Sequence, residues 1–119
     1  MKPTYKAISE AFSNGNFKLT YPHLAEDVKW DLKGDKILQS KDQVIEFCEQ
    51  TSLYFQTVKT IFKTDKVIVD NERIVINGTA RFINKENKKT EVSSCDIYVF
   101  NEGKLMEIIS YCIVTNKEI

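Results

Sequence analysis

The second half of the chain constrains its fold most. From about Thr57 onward it reads as four strands, separated by Asp70-Asn71-Glu72, by Asn84-Lys85-Glu86-Asn87-Lys88-Lys89 and by Asn101-Glu102-Gly103. These turn residues tolerate left-handed or tight backbone geometry. Consecutive long strands joined in this way pair antiparallel, and a sheet so built needs a cover for its apolar face.

The first half supplies that cover. Tyr5, Ile8, Ala11 and Phe12 fall on one helical face before Asn14-Gly15-Asn16 breaks the period, and a shorter helical piece spans about Phe17 to Leu24, its regularity limited by Pro22. Val28-Lys29-Trp30-Asp31-Leu32 then alternates strictly, which turns Trp30 inward and Asp31 outward. Ser40-Lys41-Asp42-Gln43 reads as a capping box with Gln43 reaching back to Ser40. The helix it opens carries Val44, Phe47, Cys48, Thr51 and Phe55 on its inner side. Helices first and strands later make an α+β domain, with helices on one face of a curved, mainly antiparallel sheet. The 119 residues fit one domain spanning 1–119, able to bury roughly two thirds of the unfolded chain's surface.

One carboxylate stands out. Asp96 lies inside the strand-like run Val92-Ser93-Ser94-Cys95-Asp96-Ile97-Tyr98-Val99-Phe100, and alternation places it with Val92, Ser94, Tyr98 and Phe100 on a mostly apolar face. A carboxylate there is paired, hydrogen-bonded or set in a cavity, or its pKa rises until it is neutral. Two alternatives stay open: the floor of a pocket, or a structural partner for Tyr5, Tyr54 or Arg81. Trp30 and Tyr54 suit a cavity for flat apolar ligands, although such residues more often belong to a plain core.

Other chemistries find little support. Lysine plus arginine and aspartate plus glutamate both number 17 and are interspersed, so no strong field recruits nucleic acid or an anionic membrane. Lys85, Lys88 and Lys89 read as a solvated hairpin tip. The apolar stretches fall short of the roughly 20 residues of a membrane helix, and no secretory apolar core follows the first residues. A cytoplasmic protein is expected, with Cys48, Cys95 and Cys112 as reduced thiols. The Asn77-Gly78-Thr79 sequon lies mid-strand and is taken as chance. His23 is the single histidine, away from any candidate ligand set, so no metal site is expected. Cys112 could act as a nucleophile with His23 only if the fold brought them together. There is no phosphate loop, nucleophile elbow or dinucleotide fingerprint, and no cofactor is expected.

The order of elements and the phrases Phe12-Ser13-Asn14-Gly15-Asn16-Phe17, Leu24-Ala25-Glu26-Asp27-Val28-Lys29-Trp30, Val44-Ile45-Glu46-Phe47 and Phe100-Asn101-Glu102-Gly103-Lys104-Leu105 resemble the nuclear transport factor 2-like superfamily. Within it, the SnoaL-like proteins and ketosteroid isomerases are the nearest in pattern. The resemblance covers nearly the whole chain. It implies a cone-shaped α+β roll, helices closing a strongly bent sheet around an apolar pocket, and a homodimer formed through the outer face of the sheet. It also implies that Val92, Ser94, Asp96, Ile108, Ser110 and Cys112 face the pocket, with Asp96 matching a neutral acid that donates to a developing enolate oxygen. Two isomerase groups have no counterpart: the partner tyrosine falls on Ala7 and the general base on Leu32, with Asp31 one residue off and on the opposite face. The fold itself hosts isomerases, cyclases, dehydratases and binding modules.

The expected ligand is a small, largely apolar organic molecule, contacted by Asp96, Ser94 and Ser110 and enclosed by Phe12, Trp30, Tyr54 and Ile108, with Tyr98 and Cys112 also in the pocket. If the chain is an enzyme, Asp96 is its acid or base, in isomerase-, cyclase- or dehydratase-like chemistry on a carbonyl compound. The alternative is a noncatalytic binding or dimeric interaction module with a vestigial pocket.

Overall fold

The computed structural model describes residues 2–116. Helix α1 (Tyr5–Ser13) is capped by the Thr4 side chain, which accepts from the Ala7 N–H at 3.0 Å. It ends at Gly15, whose positive φ is open to glycine at no steric cost. The next piece is not α-helical but a 3-10 helix, Phe17–His23, and the chain is already extended at Leu24.

Strand β1 (Leu24–Leu32) turns through a short β2 (Lys36–Leu38) into helix α2 (Lys41–Gln56). Ser40 caps α2 by accepting from Gln43 N–H, as expected of a capping box. Gln43 does not return to Ser40; its Oε1 accepts from the Gln39 N–H, one residue earlier. Four long strands follow, β3 (Lys59–Asp70), β4 (Arg73–Ile83), β5 (Lys89–Asn101) and β6 (Lys104–Val114).

The six strands form one sheet in the order β2-β1-β6-β5-β4-β3. Strands β3 to β6 make the expected antiparallel meander. The sheet is nonetheless mixed, because β1 lies parallel to β6, with Trp30 beside Ile108 and Leu32 beside Ser110. That pairing puts Trp30 on the same face as Asp96, and α2 packs over β1 from that side. The domain is an α+β roll, three helices on a bent mixed sheet that does not close. Its core is Ile8, Phe12, Phe17, Val28, Trp30, Val44, Cys48, Ile74, Ile76, Tyr98, Phe100, Leu105 and Ile108, all buried.

Gly78 marks a close approach on the inner face. A Cβ there would sit 2.8 Å from the Lys63 carbonyl oxygen, opposite the bulge between Thr64 and Lys66. The amide of neighbouring Asn77 is engaged, donating to the Ser94 carbonyl at 3.0 Å. Among the described residues, no helix is long and apolar enough to cross a membrane.

Candidate functional site

Between α1, α2 and the inner face of the sheet lies a cavity of about 230 Å³. Alternation along the strands decides which side chains reach it. Val92, Ser94 and Asp96 come from β5, Ser110 and Cys112 from β6, Ile76, Ala80 and Phe82 from β4, and Phe62 from β3. The helices add Phe12, Ser13, Phe47, Thr51 and Phe55, and β1 adds Trp30 and Leu32. Aromatic rings meet edge to face around the space: Phe12 against Trp30 at 4.9 Å, Trp30 against Phe47 at 5.4 Å, and Phe55 against Phe62 at 5.5 Å.

Among the described residues Asp96 is the one carboxylate in this lining, and it is buried. Ser13 Oγ donates to its Oδ2 at 2.8 Å and also shares a hydrogen bond with the Tyr98 hydroxyl. Ser13 has a single proton and gives it to Asp96, so Tyr98 is the donor to Ser13. A second arm approaches from the other side. Trp30 Nε1 donates to Ser110 Oγ at 2.9 Å, and Ser110 stands directly opposite Asp96 in the β5–β6 ladder. An indole N–H can only donate, so Ser110 receives from Trp30 and keeps its own proton to give.

Burial raises the Asp96 pKa above the usual carboxylate range, and the hydroxyls of Ser110, Ser13 and Tyr98 hold it back in part. Burial first, and then the Asp96 charge, push the Tyr98 phenol well above its ordinary value, which keeps that donor protonated. The same two causes lift the Cys112 thiol to about 11, so it is a poor nucleophile at neutral pH.

The structure brings together Phe12, Trp30, Ser94, Asp96, Ser110 and Cys112 around one cavity. It places three other expected residues elsewhere. Tyr54 is 50% exposed, because it precedes the inward Phe55 on α2 and so points about 100° away from it. Tyr98 and Ile108 share the correct sheet face but are fully buried in the core and do not line the space. The structural partners weighed for Asp96 are also engaged differently. The Tyr5 hydroxyl accepts from Gly103 N–H, and Arg81 pairs with Glu91 at 3.1 Å. Besides Phe62 and Phe82 on the sheet, the site residue that the sequence does not single out is Ser13. As a single polar position at the end of α1 it gives no periodic signal, although the helical spacing that buries Ser9 also turns Ser13 toward the sheet.

A bent sheet under three helices, with one buried carboxyl in an aromatic cavity, defines a nuclear transport factor 2-like protein. The chain belongs to the SnoaL-like family: the model of the SnoaL-like domain matches residues 5–108. It is similar to an NTF2-like protein of unknown function from Cytophaga hutchinsonii, at 33% identity over 89% of this chain and 93% of that one, with a TM-score of 0.82. A candidate SnoaL-like polyketide cyclase from Jannaschia sp. CCS1 shares the fold at 8% identity, over 94% and 90% of the two chains, with a TM-score of 0.72. So does an LEH-like epoxide hydrolase from M. tuberculosis, at 13% identity over 87% and 75%, with a TM-score of 0.68. A search of curated protein sequences returns no significant match.

Proposed function

We propose that this chain binds a small, largely apolar organic molecule in the aromatic cavity and polarises a carbonyl group of it through Asp96. The observation that carries this is a buried carboxyl that opens onto an apolar cavity rather than onto a cationic partner. Desolvation favours its neutral form, and a neutral acid in a dry site can donate to a carbonyl oxygen and stabilise the charge that develops there. Ser13 holds Oδ2 as an acceptor, which leaves Oδ1 to carry the proton. The naming of a fold neighbour as a candidate polyketide cyclase supports a carbonyl substrate.

A direct test follows α-hydrogen exchange of cyclic ketones in D2O by NMR. The wild type is expected to accelerate exchange, and Asp96→Asn to lose about 10²-fold or more of that acceleration while still binding. Exchange at the wild-type rate in the variant removes Asp96 from the chemistry. One observation favours a second reading, a binding module without turnover. Among the described residues the cavity lining holds no second carboxylate or histidine: Leu32 is apolar and Ala7 lies exposed outside it. Ketone binding with no exchange in the wild type selects that reading.

The outer face of the sheet supports a homodimer. Ile68 pairs with Val75, Val75 with Ile97, and Ile97 with Ile109, an apolar row across four strands. Tyr111 and Ile113 extend it on β6 as exposed side chains. A row of that extent on the solvent face of a sheet is costly to leave wet. Ile97→Lys is expected to convert the dimer to a monomer in light-scattering chromatography without loss of the helical circular-dichroism signal. A wild-type chain that elutes as a monomer at high micromolar concentration rules the dimer out.

A further inference from the structure

The cavity also restricts which molecule can enter, an inference that rests on the carbonyl-binding reading above. We infer that its ligand is a neutral, planar carbonyl compound of one or two rings, seated carbonyl-first against Asp96 and Ser110.

Size comes first. A dry apolar cavity of about 150 Å³ takes a benzene molecule, and this one measures about 230 Å³. The space takes a ring with an acyl group, or two fused rings, and part of a four-ring ligand would have to project through its open side. The walls suit a ring compound, since Phe12, Trp30, Phe47 and Phe55 line the space and meet one another edge to face.

The polar end sets the chemistry. Trp30 fills one acceptor site of Ser110 at 2.9 Å, and the serine's own proton, shared with Asp96, can turn to a ligand oxygen seated beside it. Asp96 is directly across the ladder, where opposed side chains on one face stand about 5 Å apart at Cβ. A carbonyl oxygen placed between them has two lone pairs, one for each hydroxyl. Charge narrows the class further. Among the described residues, the one cationic side chain in the lining is that of Lys63, which is 76% exposed and pairs with Asp65 at 3.6 Å. A carboxylate ligand would therefore bring a second acid against Asp96 with no cation at the deep end.

Calorimetry on the full chain tests each element, with fluorescence of Trp30, the single tryptophan, reporting that the cavity is the site. The probes are 1-tetralone, tetralin (the same shape without the oxygen), 1-naphthoate, protonated 1-aminotetralin and androstenedione. Tetralone is expected to bind at least about tenfold tighter than each of the others, the ratio one hydrogen-bonded oxygen supplies. Ser110→Ala should reduce its advantage over tetralin toward one, and Ser110→Thr, which keeps the hydroxyl, should restore it. Equal affinity for tetralin and tetralone overturns the carbonyl assignment while leaving an apolar pocket intact. Equal or tighter binding of androstenedione overturns the size limit, and preference for naphthoate or the amine overturns the neutral class. Failure of all five probes, tetralin included, overturns the pocket reading itself and this inference with it.

Discussion

Replacing Phe12 with alanine is expected to destabilise the domain by about 3–5 kcal/mol, the usual range for truncating a buried phenylalanine. Phe12 is 3% exposed and meets three rings edge to face, Phe17 at 5.1 Å, Trp30 at 4.9 Å and Tyr98 at 5.9 Å. Those rings belong to the 3-10 helix, β1 and β5, so one side chain joins three segments to α1. Each aromatic pair adds roughly 0.5–1.5 kcal/mol beyond its buried area, which argues for the upper part of the range. Against a total of about 5–15 kcal/mol for a domain of this kind, the loss should lower Tm by roughly 10–20 °C. Urea unfolding checks it: the midpoint falls while the slope stays constant. Phe12→Leu keeps most of the volume and should cost clearly less. A loss below about 1 kcal/mol for alanine would mean that α1 is not held through this residue. Phe12 also lines the cavity, so the alanine variant, where folded, should gain affinity for ligands larger than two rings.

The sequence made the floor of the site legible and left its depth and its far wall hidden. Strand period placed Asp96 and Ser94 on the inner face, because alternate residues must share a side, and the family resemblance placed Ser110 and Cys112 there. Period says nothing about how far down a residue lies. Tyr98 and Ile108 share that face, but α1 packs over this part of the sheet, with Phe12 against the Tyr98 ring, and leaves them in the core. Parallel pairing of β1 with β6 joins segments about eighty residues apart, with no turn between them to mark it. β2 has three residues and no alternation to detect. Ser13 was unreadable as a functional position for a related reason: its role depends on reaching across to β5, and nothing within α1 encodes that contact. The helix cap at Ser40 was local chemistry and could be read.

Asparagine at position 96 should make the protein more stable at neutral pH and less able to act on a carbonyl group. Burial raises the Asp96 pKa in the folded state above its ordinary value of 3.8, so the folded chain holds this proton more tightly than the unfolded chain does. The sign follows from linkage. The stabilisation from the neutral acid is fully present below the ordinary carboxylate pKa and is lost as pH rises through the raised one. Asparagine has nearly the same shape, never ionises, and can still accept from Ser13 through its amide oxygen. The Tm of Asp96→Asn minus that of the wild type should therefore grow as pH rises through this window and level off above it. Taking the difference removes the other carboxylates, which titrate alike in both proteins. A gap that instead widens as pH falls would show a carboxylate stabilised by its donors, with Ser13, Ser110 and Tyr98 outweighing burial. The outcome bears on function because the two effects share one cause. An acid that is costly to ionise in its own cavity is one whose proton is directed toward a ligand's oxygen, and the stability recovered by asparagine measures what the fold gives up to keep that acid there.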